Sequence, residues 1–460
     1  MNIKKAIIKV FSANFLQLVS GIIVGFLVPV ILSIENYANL KTYILFVSYI
    51  GLLHFGYIDG LYLKYGGKKI DEIDKSILKG EHFVTFVFEL IVTVIIISIG
   101  FVSNNIVIIL FGITVLPANI STFFKGFFQA TGEFERYTKI INMYTVLYTI
   151  INILLVFFIK VEEYVYYCFA VIISHIIAVL CIEFDFLKKY KRIKLSIPKD
   201  IFLVIKIGII ILFGNLAVVA LFGMDKVFVK LFLSTEEFAY YSFAVSMLNI
   251  INTLVSAISV TFYNYLFTIN EEKESINKVK KHLISLGGVA SSGYFVLVYI
   301  VNTFIDKYVN SLPIIAITFS IFPYMILINA LYVNLYKVSK NEKKYFKIVL
   351  SMFFVSIIYN VFAAMCFRNS SAIAFATLFT LVTWVLYSSK DLKIINNDNK
   401  MYMYMFLLTS SFLIISHIFD CFWGIIIYLL IYVILTNIYN REIIIDIKEM
   451  ILNLFIKNKK

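Results

Sequence analysis

"LSIENYA", residues 32–38, joins two long apolar stretches, and the chain repeats it 201 residues later as "LSTEEFA", residues 233–239. A second pair, "RYTKI" at 136 and "KYFKI" at 344, recurs in the same order at an offset of 208, which also carries Asn152 onto Asn360. Two ordered matches imply an internal duplication. Six apolar runs separate the copies, an even number, so both halves thread their surroundings in the same direction. Parallel repeats of this kind are a known plan for membrane transporters.

Composition identifies those surroundings. The 460 residues are 61% hydrophobic and only 15% charged, with a mean hydropathy of +0.91. Globular soluble chains are nearer a quarter charged, so lipid must be the solvent for most of this one. About 20 apolar residues cross the hydrocarbon core as a helix. By that measure the chain holds fourteen spans, among them 42–63, 205–230, 312–336 and a final pair at 401–417 and 422–440. The expected fold is an all-α integral membrane protein. It comprises a six-helix lobe at 1–190, a second parallel lobe at 191–390, an additional helix pair at 391–440 and an amphipathic tail at 441–460 on the inner leaflet. The first run, 11–32, is too long for a signal-peptide core, so no separate targeting segment is expected.

Charge sets the orientation. With the N-terminus inside, the inward segments carry 35 of the 41 Lys and Arg residues, and the outward ones hold only Lys41, Lys160, Lys226, Lys230, Lys307 and Arg368. The positive-inside rule then places both termini in the cytoplasm. The net charge of +13 reads as topology and not as a nucleic-acid footprint.

Several chemistries are missing. The four cysteines form no Cys-x-x-Cys pair, so neither a disulfide framework nor a zinc site is suggested. No P-loop, H-E-x-x-H or G-x-S-x-G motif occurs, and the expectation is a non-enzyme with no catalytic residue, cofactor or metal. The longest outward connection, 302–311, is too short for an extracytoplasmic catalytic domain.

The polar residues inside the spans carry what functional signal there is, because a charge within the bilayer is costly and usually faces a protein-lined cavity. In "FGYIDGLYLKYGGKKIDEIDK", 55–75, Asp59 sits in a span five residues before Lys64, about 7 Å along the helix. Glu89 lies about 10 Å inside the edge marked by His82. With Lys125 at the inner end of the fourth span, these residues are read as an acid–base cluster in the first lobe. The bland alternative, snorkelling or helix-pairing charges, stands beside it. Asp225, Lys226 and Lys230 sit near the outer edge of the seventh span, and Arg368 ends the eleventh. They are either interfacial anchors or donors for an anionic head group. His54 and His175 read as core histidines. Asn215, Asn249, Asn252, Asn329 and Asn360 suit either sugar hydroxyls or interhelical hydrogen bonds.

"GYIDGLYLKYGGK" after the second span, "FFKGFFQATGEFERY" at the exit of the fourth and "LFGMDKVFVKLFLSTEEFAYYSFA" across the seventh and eighth resemble bacterial polysaccharide-repeat-unit flippases. These O-antigen and capsule translocases share a superfamily with multidrug-and-toxin extrusion antiporters and the lipid II flippase. The resemblance covers essentially the whole chain. It implies two six-helix bundles around a central cavity, in the bacterial cytoplasmic membrane. It also implies a substrate, undecaprenyl-diphosphate-linked oligosaccharide, moved to the outer leaflet by alternating access. Polysaccharide polymerase and other assembly proteins are the implied partners. Asp225 matches the family's seventh-span aspartate, whereas the first two spans lack cavity arginines. On this reading Lys125, Asp225, Lys226, Lys230, Arg368, Asn249, Asn252 and Asn329 are substrate-binding candidates, with Glu89 and Asp59 as proton-coupling candidates. A drug or cation antiporter and a polysaccharide polymerase are the competing activities.

Overall fold

The computed structural model describes residues 3–268, 272–339, 341–392, 394–395 and 398–444. Among them there is no strand. The chain forms α1 (Ile3–Ile31), α2 (Ile34–Ser48), α3 (Tyr57–Tyr65), α4 (Lys75–Val102), α5 (Ile106–Ala130), α6 (Phe134–Ile153), α7 (Tyr164–Tyr190), α8 (Ile201–Leu221), α9 (Met224–Phe232) and α10 (Thr235–Thr268). There follow α11 (Lys273–Ser291), α12 (Gly293–Phe304), α13 (Leu312–Ser320), α14 (Phe322–Ile326), α15 (Val333–Val338), α16 (Glu342–Cys366), α17 (Ser370–Asp391), α18 (Asn399–Ile418) and α19 (Cys421–Tyr439). Eleven helical stretches are long and apolar enough to cross a membrane, and two bent pairs qualify when each is taken together. The 34-residue α10 is about 50 Å long, a fourteenth element of spanning length. This is a multi-pass membrane protein. The amphipathic tail lies outside the described residues from 445 onward.

Three expected spans are interrupted by a bend or a turn, and a fourth, the ninth, steps from α11 to α12 at Ser292 without a sharp bend. The second breaks between α2 and α3 with a 62° bend, where Phe55 (φ 48°) and Gly56 (φ 80°) adopt left-handed backbone. Glycine takes that conformation freely, whereas a phenylalanine there is strained. The tenth bends by 40° between Ser320 and Phe322, where Pro323 opens α14. The seventh ends at Leu221, and Asp225, Lys226 and Lys230 belong instead to the short helix α9.

The chain divides into two compact units, Met1–Gly223 and Met224–Lys460. In the first, α5 is the central helix, packed by α2, α3, α4, α6 and α7. In the second, the bent α13–α15 segment holds the equivalent place, against α10, α11 and α17. The helix that precedes the second copy of the sequence repeat, α8, packs on α3 within the first unit. Small residues permit this: a Cβ on Gly60 would lie 2.1 Å from the Val204 carbonyl oxygen, and one on Gly208 would lie 1.9 Å from that of Gly56.

The duplication is visible at atomic detail. Ser33 Oγ accepts from Asn36 N–H at 3.1 Å, and Ser234 Oγ accepts from Glu237 N–H at 3.2 Å, so both "LS" copies open a helix with a serine cap. Asn152 Nδ2 donates to the Tyr148 carbonyl at 2.7 Å, and Asn360 Nδ2 donates to that of Ser356 at 2.8 Å. The same 208-residue offset also relates Lys160 (φ 55°) to Arg368 (φ 52°). Each N–H of that pair bonds the carbonyl five residues earlier, Leu155 and Ala363.

Candidate functional site

The break in the second span settles what Asp59 meets. It lies in the first turn of α3, where the unbonded N–H groups and the dipole of a helix start favour a carboxylate. Its Oδ1 accepts from Asn215 Nδ2 of α8 at 3.5 Å, and its Oδ2 lies 3.8 Å from His54 Nε2. His54 Nδ1 accepts from Gly56 N–H at 3.2 Å, which leaves the ring proton on Nε2, facing Asp59. The aspartate therefore pairs with a histidine and an asparagine.

Lys64 is engaged elsewhere. Its ammonium lies 2.7 Å from Glu81 Oε1 of α4 and 2.7 Å from Asp200 Oδ2 at the start of α8. The Tyr65 hydroxyl donates to the other Glu81 oxygen. Glu81 is fully buried and Asp200 partly exposed. The hydrogen bond from Lys64 holds the Asp200 carboxyl below the usual aspartate range. This three-helix junction ties α3, α4 and α8 at the side carrying the basic connections. One residue on, His82 Nε2 sits 2.6 Å from Glu183 Oε1 of α7, with its ring packed on Phe124 and Phe186.

Glu89 is fully buried between α4 and α5, and its Oε2 accepts from Asn119 Nδ2 at 2.7 Å. Its other oxygen and Asn119 Oδ1 have no hydrogen-bond partner among the described residues. Lys125, half-buried on α5, pairs with neither Glu89 nor Asp59, and the expected acid–base cluster is replaced by these separate arrangements. Lys125 has no hydrogen-bond or ion-pair partner among the described residues. His175 lies on α7, which packs on α5. The His175 ring lies 4.3 Å from that of Tyr144, which stacks on Tyr148 at 5.8 Å with 4° between planes. Beside them the hydroxyls of Tyr43 and Thr114 share a 2.7 Å hydrogen bond. A cation with no ion-pair partner among the described residues, on a helix packed against those that carry these rings, offers a donor for a phosphate and aromatic faces for a sugar.

In the second unit Asp225 is buried and spoken for. Its Oδ1 accepts from Lys226 N–H and its Oδ2 from the Tyr241 hydroxyl, each at 2.7 Å. Lys226 is half-buried beside it, and Lys230 lies 5.1 Å over the Phe238 ring. Asn249 is exposed on α10, Asn252 half-buried on the same helix, and Asn329 half-buried on the π-helical turn between α14 and α15. Arg368 is exposed and ends its helix in left-handed backbone. Within the second unit α9 brings Asp225 and Lys226 together, while Arg368 stands in the turn after α16.

Sequence reading passed over Tyr144, Tyr148, Glu81 and Asp200, and it took His175 for core. Glu81 adjoins the apparent span edge and Asp200 sits in a basic connection, so both resembled ordinary interfacial charges. The stacked tyrosines did carry a signal, the i, i+4 spacing that brings side chains together on a helix.

No protein-family model and no curated protein matches the chain. Solved structures do. A lipid II flippase, MurJ, in an inward-closed conformation aligns with a TM-score of 0.67 at 15% identity, over 95% of this chain and 99% of that one. An inward-facing multidrug resistance MATE family transporter aligns at 0.54 and 12% identity, over 88% and 99% of the two chains. A MOP superfamily transporter from Pyrococcus furiosus, described by the reverse polarity of its binding pocket, aligns at 0.51 and 10% identity, over 88% and 96%. The chain is thus similar along nearly its whole length to these three structures, and what it shares with them is their fold.

Proposed function

We propose that this protein translocates undecaprenyl-diphosphate-linked oligosaccharide repeat units from the cytoplasmic to the outer leaflet of the bacterial inner membrane, by alternating access, for cell-surface polysaccharide synthesis. Its termini and basic connections face the cytoplasm. The observation that supports this most is Lys125: a half-buried cation with no ion-pair partner among the described residues, on α5, which packs on the helices α6 and α7 that carry the Tyr144, Tyr148 and His175 rings. That chemistry favours a phosphate and sugar over an organic cation. Lys226, Lys230 and Arg368 form a further set of donors for the head group near the outer side, with Asn249, Asn252 and Asn329 for sugar hydroxyls. Glu89 and Asp59 are the carboxyl groups available for proton coupling. The test is flipping of a fluorescent lipid-linked oligosaccharide in proteoliposomes. Lys125→Glu should abolish it, and Lys226→Glu with Lys230→Glu should impair it, with membrane insertion intact. Wild-type protein that exports ethidium but leaves the lipid-linked sugar in place would assign the chain to the drug antiporters.

A further inference from the structure

On the flank of the first unit, α4 and α7 both pack on α5, and between them lies a cavity of about 700 Å³. Phe83 and Phe86 of α4 and Leu180 of α7 wall it, and Leu116 lies along its floor. Its charged lining is confined to one end, where His82 and Glu183 satisfy each other at 2.6 Å. Lys79, at that same end, is different. Its ammonium donates to the carbonyls of Ile193 at 3.0 Å and Tyr190 at 3.4 Å, with no carboxylate in ion-pair contact among the described residues. An apolar trough thus ends in a lysine ammonium held by backbone carbonyls, beside a histidine–carboxylate pair.

The length of the trough selects its occupant. The lining runs along α4 from Lys79 to Ile97, 18 residues or about 27 Å, against a hydrocarbon core of about 30 Å. An acyl chain of a leaflet phospholipid reaches only near the midplane, so it would leave much of this groove unfilled. A long isoprenoid chain would not. We propose that the groove between α4 and α7 holds the prenyl chain of a polyprenyl phosphate carrier lipid, with the phosphate against Lys79. The proposal rests on the lipid-linked reading above and adds a place for the tail, on the flank of the first unit.

The experiment is native mass spectrometry of the purified full-length protein in detergent, titrated with sugar-free undecaprenyl phosphate or with phosphatidylglycerol. We expect one undecaprenyl phosphate per chain, bound at least tenfold more tightly than phosphatidylglycerol. Lys79→Gln should weaken it about fivefold, and Leu116→Trp with Leu180→Trp, which fill the groove, should abolish it. Lys79→Gln sits at the rim, so its result stands even if the tryptophan pair fails to fold. Equal binding of phosphatidylglycerol, or undecaprenyl phosphate binding untouched by Lys79→Gln, would overturn the proposal. A protein that binds the carrier in this groove but flips no lipid-linked sugar would overturn the transport reading alone. One that flips it but takes up no carrier here would overturn the groove alone.

Discussion

Removing Lys64 should damage the protein far more than neutralising its partner Glu81. Lys64 bridges two carboxylates at 2.7 Å each, one fully buried and one with a side chain 40% exposed. Lys64→Met strands the buried Glu81 charge with only the Tyr65 hydroxyl to support it, a change that typically costs about 3–5 kcal/mol. Asp200, in contrast, can turn to water. Glu81→Gln leaves Lys64 paired with Asp200 and keeps an acceptor for Tyr65, so its cost should be about 1 kcal/mol, the net worth of one hydrogen bond. The double variant buries no charge and should be more stable than Lys64→Met alone, with a coupling of about 2 kcal/mol. Unfolding in mixed micelles, followed by far-UV circular dichroism, reads all three. Equal losses for the two single variants, or a double variant at the sum of both, would refute the junction as an energetic unit.

The α3–α8 approach should be equally intolerant. Gly60→Ala or Gly208→Ala forces a methyl to within 2.1 or 1.9 Å of a backbone oxygen, at a cost of about 3 kcal/mol. Gly21→Ala, with nothing within 4 Å of the new carbon, should gain about 0.5–1 kcal/mol from helix propensity, and melting temperatures in detergent separate the cases. Asp200 stabilises through a depressed folded-state pKa. Its contribution is therefore full above the ordinary aspartate value of about 3.9 and disappears as pH falls through the lower, folded value. The difference in melting between wild type and Asp200→Asn should follow that course. Glu89→Gln should keep expression and fold, because glutamine preserves shape and the bond to Asn119, yet abolish the dependence of flipping on an imposed pH gradient in inverted vesicles. Unchanged dependence would leave Glu89 a structural partner of Asn119.

Spans and repeat were legible because both are written in long or duplicated patterns. Apolar length located the helices, and the match of "LSIENYA" to "LSTEEFA" located the repeat, whose two serines prove in the structure to cap the same turn. The breaks were harder to read. Phe55 gives no compositional sign of left-handed backbone, and the turn between α8 and α9 is two residues, Phe222 and Gly223, in an apolar run. Missing that turn put Lys226 and Lys230 on the wrong helix. The site was less legible still, because partners came from elements distant in sequence. Lys64 lies near Asp59 along the chain but chooses Glu81 and Asp200. Glu89 meets an asparagine where a lysine had been expected, which leaves Lys125 without an ion-pair partner among the described residues.

Lys160 and Arg368 hold a left-handed conformation that costs a side-chain-bearing residue about 1–2 kcal/mol, in the connections that the proposed topology places outside, where Lys and Arg are scarcest. Asn104, in another turn with φ 48°, is a residue type that tolerates this backbone. Glycine would relieve the strain at both positions, and either change would also remove a charge that disfavours this side. Related by the 208-residue offset, both turns nevertheless carry a long cation. Conformation alone does not account for that choice. Lys160→Gly and Arg368→Gly should each make a more stable protein, and any loss of transport that accompanies the gain measures what the two cations do.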